Sequence, residues 1–120
     1  MTRQSGEVSV EYGLILSALL VFVLGIVDTG RLLWTQTTLE HAAEAAARCY
    51  AIDATLCGTT AQTQTYAVAQ AYGVQVTTAA FTVSTLTCGA NVKASLPFVL
   101  IIPWTTTTSL TLTATSCYPL

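Results

Sequence analysis

The first half of the chain is dominated by one uninterrupted apolar run. Tyr12 to Val27 contains no charged side chain, and Asp28 ends the run. At about 1.5 Å per residue, such a helix is about 24 Å long, which is shorter than the ~30 Å hydrocarbon core of a bilayer. A membrane-spanning helix would therefore extend backward past Glu11. We expect a transmembrane segment at about 8–27, with the Glu11 carboxylate at its edge.

The segment that follows the apolar run predicts a continuation of the same helix. From Asp28 to Ala51 there is no proline, and no glycine follows Gly30. Apolar and small residues recur at heptad-like spacing on one face, at Leu32, Thr35, Leu39, Ala42, Ala46 and Cys49. The pattern predicts one long helix over 7–52, whose second half packs tightly on the C-terminal part of the chain.

Residues 53–120 form the second predicted unit, a small domain. A short helix from about Thr60 to Tyr72, closed by Gly73, is followed by a Thr- and Val-rich strand over 74–87. The alternation of that strand slips between Val83 and Leu86, which predicts a bulge. Residues 88–91 are typical of a turn. The fold class is therefore α+β.

Two further strands complete the predicted antiparallel sheet. Val92 to Phe98 alternates clearly, with Val92, Ala94, Leu96 and Phe98 on one face. Pro97 cannot donate to a strand ladder, so this strand is expected to lie at an edge or to end there. Residues 110–115 alternate again. The stretch 98–104 is apolar on every side and is either a buried strand or a loop that presents an apolar patch to a neighbouring subunit or to the membrane. The candidate interface residues are Phe98, Ile101, Ile102 and Trp104.

Composition supports a membrane protein and argues against several other functions. The chain is 52% hydrophobic and 8% charged, with a mean hydropathy of +0.61, too apolar for an ordinary soluble domain. Its four basic residues are scattered, so no nucleic-acid surface is expected. His41 is the sole histidine and no C-x-x-C occurs, so we expect no metal site, no catalytic residues, no cofactor and no small-molecule substrate.

The four cysteines, Cys49, Cys57, Cys88 and Cys117, all follow the apolar run. An even number on one side of a membrane segment predicts disulfides in an oxidising compartment, with the N-terminus on the cytoplasmic side. Three connectivities are possible. The predicted hairpin and returning strand bring Cys88 and Cys117 to one end of the sheet, which favours that pair together with Cys49–Cys57.

Besides a membrane-spanning helix that stays in the mature protein, two alternatives for the N-terminus are considered. A secretory signal peptide would need a more basic N-terminal region and a small-residue cleavage site after the apolar run, and the sequence has neither. The other alternative is an unprocessed single-pass anchor that carries an extracytoplasmic binding domain. In that case Glu11 would be a tolerated interfacial residue.

The residues around Glu11 resemble a type IV prepilin cleavage signal. Gly6 is followed by Glu7, three further residues, Glu11, Tyr12 and then the apolar run. In that family a membrane peptidase cuts after the glycine and leaves a glutamate as the fifth mature residue. The resemblance implies a leader over 1–6, a cleavage site at Gly6 and Glu7, and an assembly role for Glu11 and Tyr12. The Glu-Tyr pair is the variant of pilins of the tight-adherence (Tad) class.

The first fifty residues also resemble the TadE-like pseudopilins of the Tad system. The shared features are the apolar helix, the Asp28-Thr29-Gly30-Arg31 step and an alanine-rich continuation. The resemblance implies a pilin-like fold and a minor pilin that takes part in pilus assembly and is not an enzyme. Its expected partners are the prepilin peptidase, other pilin subunits, the assembly platform and the bacterial inner membrane, with the C-terminal domain outside the cytoplasm or incorporated in the pilus.

Overall fold

The structure is a computed structural model that describes residues 2–101 and 110–120, with side chains from Gly6 onward. Two helices, α1 (Thr2–Ile52) and α2 (Thr60–Gln70), precede a 3-10 turn at Thr78–Ala80. Three strands follow, β1 (Phe81–Leu86), β2 (Gly89–Phe98) and β3 (Leu110–Tyr118). They form one antiparallel sheet in the order β1-β2-β3. The predicted α+β fold is confirmed.

Helix α1 is much longer than the domain that it supports. The molecule measures 79 × 23 × 20 Å, and its long dimension matches the ~77 Å expected for a straight helix of 51 residues. Every described side chain from Gly6 to Leu24 is exposed. Helix α1 already begins at Thr2, so residues 2–6 continue the predicted helix over 7–52 toward the N-terminus.

The second half of α1 packs on the sheet, as its small-residue stripe predicted. Five side chains of this face are fully buried, and they are Leu39, Ala42, Ala43, Ala46 and Ala47. They share one core with Phe81 of β1, Val92 of β2 and Leu112 of β3. Gln36 adds a polar contact, because its amide donates to the Thr113 carbonyl oxygen at 3.0 Å. Alanines let the helix backbone approach the sheet closely, and Leu39 is the largest of these five buried side chains.

The hairpin of β1 and β2 is tighter than the sequence predicted. Pairing runs without interruption from Phe81–Ala94 to Leu86–Gly89, so the predicted bulge is wrong. Thr87 and Cys88 alone form the connection, and β2 already begins at Gly89. Gly89 has a φ of +124°, and a Cβ there would collide with the Tyr118 carbonyl oxygen. Close approach of the chain end therefore requires this glycine.

Strand β2 has the predicted alternation. Val92, Ala94 and Phe98 are buried, whereas Lys93 and Pro97 are exposed. The strand is central in the sheet and not at an edge, but it ends at Phe98, one residue after Pro97, which confirms the other expectation for this proline. Pro97 is tolerated because β1 covers β2 only up to Ala94, and beyond that point β2 pairs with β3 alone.

Helix α2 and the two disulfides fix the far end of the domain. A capping box between Thr59 and Gln62 starts α2, and the helix ends at Gln70, two residues before the predicted end. Cys49 bonds to Cys57 with a Cα distance of 5.7 Å, and Cys88 bonds to Cys117 with a Cα distance of 6.2 Å. These are the two pairs that the sequence favoured. They link α1 to the start of α2 and the hairpin turn to β3.

Candidate functional site

The apolar half of α1 is a continuous surface that the described residues leave uncovered. An 18-residue window of this helix has a mean hydropathy of 2.4, and none of that window is buried. By length and composition the helix is suited to cross a membrane. Apolar side chains surround the helix on all sides, which is typical of a span or a helix bundle and not of a surface helix.

The four residues of the cleavage-like motif lie at the free end of this helix. Gly6, Glu7 and Glu11 share a shallow surface groove with Val8, Val10 and Leu14. A Cβ on Gly6 would meet no atom within 4 Å, so packing of the described residues does not require a glycine there. Tyr12 is exposed. Among the described side chains, no basic group lies within ion-pair distance of Glu11. The fold of the single chain therefore explains neither Gly6 nor Glu11.

Asp28 forms the junction between the apolar half of α1 and the domain. Its side chain is only 4% exposed. Both carboxylate oxygens accept from the Ile101 backbone N–H, at 3.0 and 3.1 Å, and Oδ1 also accepts from Arg31 Nη1 at 3.3 Å. Sequence reasoning noted Asp28 only within the Asp-x-Gly-Arg step and missed its bond across the chain. Asp28 lies one helical turn before Leu32 on the packed face of the helix. This spacing could have indicated that Asp28 is buried, although not which residue it bonds to.

Phe98 was predicted as part of an exposed interface, and the structure corrects this. The ring is 7% exposed and belongs to the core, with the Arg31 guanidinium 5.2 Å from its centroid. Phe98 is buried because it ends the inward-facing row of β2. Ile101 is about half exposed. Ile102 and Trp104 lie outside the described residues.

The far end of α1 carries a separate groove of about 450 Å³ with a mixed lining of charged side chains, such as Glu44, Arg48 and Asp53, and apolar ones, such as Ile52 and Leu56. Asp53 turns the chain from α1 toward Cys57. Its carboxylate accepts from the Thr55 hydroxyl at 2.6 Å and from the N–H groups of Thr55 and Leu56 at 3.0 and 3.1 Å. These bonds, the Thr55 hydroxyl first, lower the pKa of Asp53. The bonds stabilise the turn that the Cys49–Cys57 disulfide closes.

Comparison with known proteins bears on the helix and not on the sheet domain. No curated protein and no solved structure gives a significant match to the chain. Residues 6–48, which comprise the apolar helix and most of its packed continuation, match the family model described as TadE-like protein, and this match confirms the resemblance drawn from the sequence.

Proposed function

We propose that the chain is a minor pilin or pseudopilin of a Tad-type pilus. The observation that carries the proposal is the coincidence of the TadE-like match over 6–48 with an apolar helix whose described side chains are exposed from Gly6 to Leu24. An uncovered apolar helix of this length needs lipid or a bundle of similar helices around it. A pilin uses both in turn, first as a membrane precursor and then as a packed subunit.

Prepilin peptidase would cut this precursor after Gly6. The Gly6–Glu7 bond lies inside α1, so the peptidase must unwind the helix locally. Glycine costs about 1 kcal/mol relative to alanine in a helix interior, and a Cβ on Gly6 would meet no atom within 4 Å among the described residues that surround it. Both features support a glycine selected for the peptidase and not for packing. Leader 1–6 would then be removed, leaving 7–52 as the mature helix before the 53–120 domain.

Cleavage would also supply a cation near Glu11, which has no ion-pair partner among the described side chains. The new α-amino group of Glu7 has a reference pKa near 8 and is largely protonated at neutral pH. It lies four residues from Glu11, about one helical turn along α1. The ammonium can pair with Glu11 of the same chain or of an adjacent subunit, which offsets the cost of a carboxylate in an apolar bundle. Glu11, with Tyr12 beside it, would thereby fix the register of assembly.

The proposed orientation places the leader in the cytoplasm and the sheet domain outside it. Both disulfides lie on the C-terminal side of the apolar run. Disulfides persist in an oxidising compartment, so their position supports a C-terminal domain outside the cytoplasm. The partners in this proposal are the prepilin peptidase, other pilin subunits, the assembly platform and the inner membrane. The protein acts as a peptidase substrate and a structural subunit.

The test compares Glu11→Gln with Glu44→Gln, which removes another exposed acid from the same helix. In cells with a working pilus system, Glu11→Gln should reach the membrane at the normal level and be cleaved, but it should fail to support filaments. The Glu44→Gln variant should behave like the unaltered protein. Normal piliation by Glu11→Gln would contradict the assembly role and would favour the unprocessed, anchored binding domain.

A further inference from the structure

The hydrogen bond between Asp28 and Ile101 fixes the height of the domain above the apolar helix. Asp28 is the first charged residue after the apolar run, and the Ile101 nitrogen lies 3.0 Å from its Oδ1. The segment from Val99 to Ile101 therefore lies where the apolar part of α1 ends. If α1 spans a bilayer, this segment lies at the bilayer surface.

Two apolar side chains of this segment point away from the protein. Val99 is 78% exposed and Ile101 is 48% exposed, whereas Leu100 between them packs on the core. Trp34, which is 61% exposed, lines the same surface groove as Val99, near Arg31 and Pro97. We call Trp34, Val99 and Ile101 the basal rim. Its three side chains are apolar or, in the case of tryptophan, suited to a membrane interface.

The charges near the basal rim would oppose membrane contact only weakly. Arg31 lines the groove beside Val99, and its guanidinium is paired with Asp28 at 3.3 Å and stacked over Phe98. Gln75, which lines the same groove, is neutral. A paired arginine at headgroup depth can also reach lipid phosphate through its exposed side. Desolvating this surface therefore costs far less than desolvating a free charge.

We propose that the basal rim rests in the headgroup region of the bilayer that α1 spans, so that the sheet domain contacts lipid directly and is held in one orientation. The proposal rests on membrane insertion of the helix, which is part of the proposed function. The rim adjoins the end of the apolar helix, because Asp28 of the helix bonds to Ile101 of the rim. A bilayer around the helix would therefore also reach the rim, which favours lipid over a protein partner at this surface. The Asp28 bond acts as the positioning contact that keeps Val99 and Ile101 turned toward the membrane.

The test uses the full chain at one copy per lipid nanodisc, which removes contacts between subunits. The lipid carries a photoactivatable diazirine on its acyl chain close to the glycerol, and labelled residues are mapped by tandem mass spectrometry. We expect label on 12–27 and on the three residues of the basal rim, Trp34, Val99 and Ile101. Leu56 and Leu86, which are similarly exposed but lie toward the opposite end of the domain, serve as matched controls and should stay unlabelled. A Val99→Ser, Ile101→Ser variant should lose the label at 99 and 101 and keep the label on 12–27.

The outcomes separate this inference from the proposed function. Label on 12–27 with none above the Leu56 and Leu86 background at 99–101 would overturn the basal-rim proposal and leave the membrane helix intact. Equal labelling of the rim and the two controls would overturn the proposal as well, because it would show that the domain touches lipid without being held in one orientation. No label on 12–27 would overturn the membrane span and the rim together.

Discussion

Replacement of Asp28 tests the junction between the helix and the sheet domain. In Asp28→Ala, the Ile101 N–H loses a charged acceptor bound at 3.0 and 3.1 Å, and Arg31 loses a carboxylate at 3.3 Å. A hydrogen bond to a charged group contributes about 1.5 to 3 kcal/mol. The ion pair adds at most about 1 kcal/mol, since the Arg31 side chain is 47% exposed. Relief of the buried carboxylate offsets part of this loss.

We expect a net loss of about 2 kcal/mol in the local stability of the 99–101 segment, which is about 30-fold in its opening equilibrium. The assay is amide hydrogen exchange of the full chain in nanodiscs, resolved at Ile101. The Ile101 amide should exchange about 30-fold faster in Asp28→Ala, and less than that in Asp28→Asn, which keeps one oxygen acceptor.

Two controls accompany Asp28→Ala. The amides of the β1–β2 hairpin should exchange at the same rate in Asp28→Ala as in the unaltered protein. In the variant Glu44→Ala, the exchange rate of the Ile101 amide should not change. An unchanged exchange rate at Ile101 in Asp28→Ala would contradict the role of Asp28, because its carboxylate would then contribute nothing to the stability of the 99–101 segment. A general increase across the hairpin would refute it too, since the junction would then stabilise the whole sheet and not one segment.

Three further predictions concern the packed domain. Leu39→Ala should lower the free energy of unfolding by about 2 to 5 kcal/mol in urea titrations, because Leu39 is fully buried; Leu33→Ala, at an exposed site, should change it by less than about 0.5 kcal/mol, and similar losses would contradict the assigned helix face. Replacing Cys88 and Cys117 by serine should cost about 1 kcal/mol more than replacing Cys49 and Cys57, because the closed loops span 29 and 8 residues in sequence; paired denaturation curves with the reverse order would contradict this. Asp53 has a lowered pKa in the folded state, so its contribution to stability is present above its unfolded pKa of about 3.9 and is lost as the pH falls through the lower folded value; Thr55→Ala should raise that pKa in an NMR titration, and an unchanged pKa would show that the Thr55 hydroxyl is not its main cause.

The sequence predicted the parts of the fold that depend on simple periodicity. The apolar run and the stripe from Leu32 to Cys49 specify a helix that is exposed in its first half and packed in its second. Alternation specified the faces of β2, because a strand with one buried face must repeat every two residues. A turn was predicted at 88–91, and it lies at Thr87 and Cys88, because β2 already begins at Gly89.

Contacts between distant parts of the chain were not predictable in this way. Pro97 suggested a strand that lies at an edge or ends there, and the sequence did not decide between the two; the shorter reach of β1 explains how the end of a central strand accommodates this proline. The bond from Asp28 to Ile101 joins residues 73 positions apart, and no local pattern indicates such a partner. Phe98 was placed with the exposed apolar segment, whereas strand register assigns it to the core and leaves Val99 outside. The Gly6 and Glu11 motif was recognisable because it is local.

Intact-mass spectrometry of the protein purified from its native membranes, with and without reduction, tests the central claim most directly. We expect a chain that begins at Glu7, with Met1 to Gly6 removed, and a mass four hydrogens below that of the reduced chain because both disulfides are formed. A chain that keeps residues 1–6 in cells with an active prepilin peptidase would contradict the pilin proposal, and Glu11 would then mark the edge of an ordinary membrane anchor.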